Sequence, residues 1–208
     1  MERLADCRRV SWLAALWVVS AQFLLASVVQ AAPTVPVTVG PVIITVPEGF
    51  EAAQRQRLRK TLIAAWTKSS AGLKTLLQIN VIDFGSAPGK PAAPQDLNLY
   101  AEKYLHQFLD GIERRRTNYV SSPVAHIKLA GLPAARATWN GAVGGRAAVG
   151  VMYSVIVHNR FAVIFHTQDL GSTPTSGMFE AMQSIETATL ADTPARRGTS
   201  PEASPGIS

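Results

Sequence analysis

Two apolar runs, GVMYSVIV (150–157) and FAVIF (161–165), are separated only by His158, Asn159 and Arg160. A short polar break between runs rich in β-branched and aromatic residues is the pattern of a hairpin, so the two runs read as paired antiparallel strands. Neither run alternates apolar with polar. Strands that are apolar on both faces lie in the middle of a sheet covered from both sides, and this is the strongest constraint the chain places on its own fold. On this reading His158 is a turn residue and His166 is a strand-end residue near the rim.

The other segments supply candidates for sheet and covers. Val42, Ile44 and Val46 alternate with Ile43 and Thr45 and predict a strand that stops at Pro47-Glu48-Gly49. TLIAAWTKSS and LKTLLQINVIDF, divided by Ser69-Ser70-Ala71-Gly72, predict a second antiparallel pair. Residues 85–95 have the composition of a loop, after which Asp96 stands where a helix cap belongs. Leu97, Tyr100, Ala101, Tyr104, Leu105, Phe108 and Ile112 then recur at spacings of three and four, which predicts an amphipathic helix. Arg114, Arg115 and Arg116 are expected in its last turn, where the helix dipole favours positive charge. Strand patterns resume in VAHIKLAG, AARATWN and RAAVGVMYSVIV. A second helical stripe, Met178, Ala181, Met182 and Ile185, is placed to cover the other sheet face. The expected fold is therefore α+β: a central antiparallel β-sheet with helices packed on both faces, an α-β-α sandwich spanning residues 32–190.

The termini read differently. Arg3, Arg8 and Arg9 precede an uncharged apolar segment, Val10 to Ala32, in the pattern of a secretory signal. Val29-Gln30-Ala31 offers a cleavage site after Ala31, giving a signal peptide over 1–31 and a periplasmic or secreted product. The apolar segment also approaches the length that spans a bilayer, and the alternative is an uncleaved N-terminal anchor in the inner membrane. Residues 191–208 are rich in Pro, Ser, Gly and Ala and read as a disordered C-terminal tail. The single cysteine, Cys7, lies within the signal. Beyond residue 31 there is thus no thiol for a disulfide, a nucleophile or a metal site. That part carries 17 basic against 12 acidic side chains, a balance suited to acidic partners such as an anionic membrane surface, while nucleic acid is not expected in that compartment.

No catalytic motif emerges. There is no Gly-x-Ser-x-Gly elbow, and GAVGGR lacks the Lys and Ser/Thr of a phosphate loop. The four histidines, His106, His126, His158 and His166, are scattered without metal-ligand spacing. No cofactor and no enzymatic activity are expected. Two features remain as binding candidates. Arg55, Arg57, Arg59 and Lys60 form a basic edge, with the arginines on one side of an extended segment, and Tyr100, Tyr104 and Trp139 mark a candidate pocket between helix and sheet.

VPEGFEA, IKLAGLPAARATW, YSVIVHNRFAVIFHTQD and FEAMQSIETATL, in this order around the helix, resemble the PsbP-like superfamily, and specifically its small exported bacterial members. The resemblance spans about residues 37–190. It implies an antiparallel sheet with helices on both faces and function by binding, with no catalytic residues to carry over. Relatives serve as extrinsic subunits of photosynthetic membrane complexes or as a Ran-binding import factor, roles that do not transfer. Many bacterial relatives are lipoproteins, whereas this sequence has no lipid-accepting cysteine at the expected cleavage point. The expected function is a non-enzymatic accessory domain acting on an envelope protein; the alternative is a small-ligand or lipid carrier.

Overall fold

The computed structural model describes residues 36–70, 72–85 and 94–191. The expected signal segment, and all but the first residue of the expected tail, lie outside the described residues.

An eight-stranded antiparallel sheet dominates the molecule. Its strands are β3 (Glu51–Leu58), β4 (Thr61–Ser70), β5 (Leu73–Asp83), β6 (Thr117–Ser121), β7 (Ala125–Leu129), β8 (Leu132–Val143), β9 (Arg146–Val157) and β10 (Phe161–Asp169). They run across the sheet in the order β3-β4-β5-β10-β9-β8-β6, with β7 also pairing with β8. The two-sided apolar hairpin is β9–β10, and it occupies the centre as its sequence requires. Its turn is closed by Arg160 N–H donating to Val157 C=O at 3.1 Å. His158 and Asn159 in that turn take positive φ values of 54° and 50°.

One face is covered by helix α1 (Pro94–Glu113), whose Ala101, Leu105 and Leu109 pack on Ala135, Ala137, Trp139, Met152, Ile156 and Ile164. The other face is covered by helix α2 (Ser176–Glu186) together with a small second sheet, β1 (Pro36–Val39), β2 (Val42–Thr45) and β11 (Thr189–Leu190), in the order β1-β2-β11. Val39, Val42 and Ile44 from this sheet join Met178, Ala181 and Ile185 of α2 against Leu77, Ile79, Val155, Val163 and Phe165.

The expected α-β-α sandwich is therefore corrected. Among the described residues helix amounts to the 20 residues of α1 and the 11 of α2, and the fold is mostly β. The cause lies in the lead segment, which sequence patterning read as one strand. It doubles back through Gly40, at φ 59°, and the resulting β1–β2 hairpin covers sheet area that a helical layer would otherwise take.

Two local expectations also change. The long helix starts at Pro94, so Asp96 stands in its first turn, where its charge still favours the dipole. The helix ends at Glu113, which leaves Arg114, Arg115 and Arg116 beyond it on the way to β6.

Candidate functional site

Helix α1 lies over β8 and β9 and reaches only the near side of β10. The next strand, β5, carries Leu76, Gln78 and Asn80 on the same face, beyond the helix. Between these residues and the C-terminal half of α1 lies a cleft of about 420 Å³, towards the small end of the ~300–1,000 Å³ common for ligand sites. Phe108, Gly111 and Ile112 of α1 form one wall, Leu76, Gln78 and Asn80 the other, and Met152, His166 and Gln168 the floor. Arg115 and Arg116 close one end.

Register explains how these residues meet. On the antiparallel ladder Gln78, His166 and Met152 stand side by side, and Leu76, Gln168 and Gly150 form the next row. Trp139 is opposite Gly150 on β8. A Cβ on Gly150 would lie 2.4 Å from the indole, so only glycine lets the ring lie flat across the strand. The ring then holds His166 at 5.8 Å and the Arg116 guanidinium at 5.6 Å from its centroid.

Arg116 is not a solvated helix-end charge. Its Nη2 donates to Gln168 Oε1 at 3.2 Å and its Nη1 to Arg115 C=O at 3.2 Å, while Nε is buried without a protein partner. Burial, with Arg115 adding to it, lowers its pKa, and a guanidinium still keeps its charge at neutral pH. His166 is only 7 % exposed, and its Nε2 has no protein partner. Burial, and secondarily Arg116, push its pKa down from 6.5 to about 3, so the ring is neutral. Asn80, 3 % exposed, leaves Nδ2 unpaired while its Oδ1 accepts from Gln78 Nε2 at 3.0 Å.

His166 was expected near the rim of the sheet. It sits instead within β10, because that strand continues through Asp169 and the helix roofs it. Arg116, Asn80 and Gln168 were not singled out from the sequence as site residues. The signal was present: Gln78 and Asn80, like His166 and Gln168, are polar residues two apart in otherwise apolar strands, and so share one face.

The residues picked from sequence as pocket candidates are spread along α1 and β8. Tyr100 is half-exposed near the start of α1. Tyr104 stacks on Phe84 with centroids 6.2 Å apart, and Trp139 is buried behind Arg116. None of the three lines the 420 Å³ cleft directly; Trp139 contacts two residues that do, Arg116 and His166.

The basic edge lies elsewhere, on β3, an edge strand exposed along nearly its whole length. Arg55 and Arg57 share a face, opposite Ala64 and Leu62 of β4, and Arg55 Nη2 donates to Thr38 C=O of β1 at 3.3 Å. Arg59, with φ 51°, belongs to the β3–β4 turn rather than the strand, and Lys60 follows it. Charge on an exposed edge strand also discourages pairing with another chain.

Elsewhere, Arg160 forks onto Asp83 at 3.0 and 2.7 Å and is the main cause of that carboxyl's low pKa, about 2. His126 and His106 both approach Glu102, at 3.0 and 3.6 Å. Among the described residues no group of three or more His, Cys, Asp or Glu side chains is placed to hold a metal ion. Nor, among them, is any helix long and apolar enough to cross a membrane.

No family model matches the chain, and no curated protein is similar to it in sequence. Among solved structures it is similar to LpqN of Mycobacterium tuberculosis, described as involved in cell envelope biogenesis, with 12 % identity and a TM-score of 0.48 over 78 % of this chain and 88 % of that one. It is also similar to PA94 of Pseudomonas aeruginosa, a protein of unknown function, with 13 % identity and a TM-score of 0.36 over 66 % of this chain and 82 % of that one. Both likenesses are distant.

Proposed function

We propose that this chain is an exported binding protein of the PsbP-like type, without enzymatic activity, and that the cleft between α1 and the sheet takes a small ligand. The observation that carries this reading is that two side chains lining the cleft, His166 and Asn80, are more than nine-tenths buried and each keep a polar atom without a protein partner. Buried polar groups without partners cost roughly 1–3 kcal/mol each, and a molecule that satisfies them recovers that cost on binding. Binding rather than catalysis is supported by the lining, which has no hydroxyl, thiol or carboxylate, and by a histidine whose pKa of about 3 makes it a poor base near neutrality. The geometry thus favours the ligand-carrying reading over the accessory domain that grips an envelope protein through its basic edge. Service in the cell envelope belongs to the same proposal and rests on the signal-like segment at 1–31.

Gly111 provides the test. A Cβ there meets nothing within 4 Å, so Gly111→Phe fills the cleft without forcing a backbone shift, and it removes a helix-interior glycine. Native mass spectrometry of protein purified from its own cells is expected to show a bound small molecule on the natural chain and none on Gly111→Phe at equal stability. Identical spectra, with no adduct on either, would remove the reading.

A further inference from the structure

We propose that the ligand of this cleft is an organic anion with an apolar body. This rests on the cleft being a ligand site, and it follows from the charge of its lining and the hydrogen-bonding atoms left open there. Gln168 Oε1 accepts from Arg116, a group that can only donate, so the free end of Gln168 is its NH₂. Asn80 Oδ1 accepts from Gln78, so the free end of Asn80 is also an NH₂. Arg116 has used one N–H of Nη1 and one of Nη2 and keeps three, that of Nε among them. The cleft is thus lined by two arginines and no acid, and uncharged side chains supply its other polar atoms, Gln78 Oε1 and the Gln107 amide among them. Such a field selects an acceptor-only group carrying negative charge.

Arg116 keeps three of its five N–H donors, one on each nitrogen, which suits an anionic head group of either carboxylate or phosphate type. The rest of the lining adds apolar surface. Leu76, Phe108, Ile112 and Met152 would hold a hydrocarbon or ring against the helix.

Octanoate, octanol and inorganic phosphate serve as probes, with ligand-free mature chain and calorimetry as the readout. Octanoate is expected to bind at least about tenfold more tightly than octanol, the ratio one charge-assisted hydrogen bond supplies, and phosphate not to bind. Arg116→Met keeps an apolar stem on Trp139 and should erase that preference, weakening octanoate about tenfold while leaving octanol unchanged. Asn80→Leu tests the same inference where Arg116→Met fails to fold, and a smaller loss for octanoate alone is expected. Equal affinity for octanol and octanoate overturns the anion assignment, tight binding of phosphate overturns the apolar body, and a failure of octanoate to bind at all overturns both. Octanoate binding that survives Gly111→Phe locates the acid outside the cleft, and then the reading of the cleft itself fails.

Discussion

The two faces of the central sheet are built from the same strands, yet they treat buried polar groups in opposite ways. On the α2 face nearly every such group has a protein partner. Asp169, fully buried, accepts from the Thr75 hydroxyl at 2.5 Å and from Thr175 N–H at 2.6 Å, which fixes the start of α2. Ser184 Oγ donates to Thr45 C=O, tying α2 to the small sheet. Tyr153 donates to Glu186 at 3.0 Å, and its pKa rises to about 12, mainly through burial. Thr167 Oγ1 and Arg136 Nε are left over there, and neither reaches the cleft. On the α1 face Asn80, Ser154, His166, Trp139 and Arg116 all keep unpaired atoms. The α2 face thus closes most of its buried polar groups within the protein, whereas the α1 face leaves more of them without a protein partner.

The sharpest break of this contrast should come from the α2 face. Phe165 is 1 % exposed in the core shared by β10, α2 and β1–β2. Phe165→Ala is expected to destabilise by roughly 3–5 kcal/mol, as for other buried aromatics, read as a lower urea midpoint at unchanged slope. A cost under ~1 kcal/mol would mean that this face does not carry the fold. Next comes the Asp169 clamp. Thr75→Val keeps the shape and strips a donor from a buried carboxylate, so a loss of about 1.5–3 kcal/mol is expected in the same measurement.

How far each face was legible follows from the same distinction. The β9–β10 hairpin is written as two unbroken apolar runs around a polar break, and α1 and the stripe of α2 as periodic apolar patterns; such local patterns survive whatever the tertiary fold does with them. The β1–β2 hairpin was missed because its turn, Gly40-Pro41, falls inside a run of alternating Val and Thr that reads as continuous strand. The cleft was only half visible. A pocket between helix and sheet was expected, but its residues follow from where α1 stops short of β5 and from Arg116 folding back beyond the helix end. Neither is a local property of sequence.

The pH response of His166 separates the faces next. Its folded pKa, about 3, lies below the unfolded value of 6.5. Between those values the unfolded chain takes up a proton that the native one refuses. This contribution to stability is complete above pH 6.5 and is lost as pH falls towards 3, by at most ~1.4 kcal/mol per unit. His166→Leu should match the natural chain at pH 7 and exceed it at pH 5 by up to about 2 kcal/mol. Parallel loss of stability in both proteins over that interval would show that the ring is not held neutral.

The smallest expected effect is the most telling for the comparison. Ser154 and Thr75 are both buried hydroxyl residues of the same sheet, at 0 % and 4 % exposure, and differ in one respect. Thr75 Oγ1 donates to a carboxylate, whereas Ser154 Oγ, facing the underside of α1 beside Ile164, has no protein partner. Removing an unpaired hydroxyl relieves its desolvation, and this offsets the small cavity left by one atom. Ser154→Ala should therefore change stability by no more than about 0.5 kcal/mol in either direction, against the several-fold larger loss for Thr75→Val. Urea titrations of the two variants side by side decide it. Comparable losses would mean that the α1 face satisfies its polar groups as the α2 face does, and the argument for an open cleft would lose its foundation.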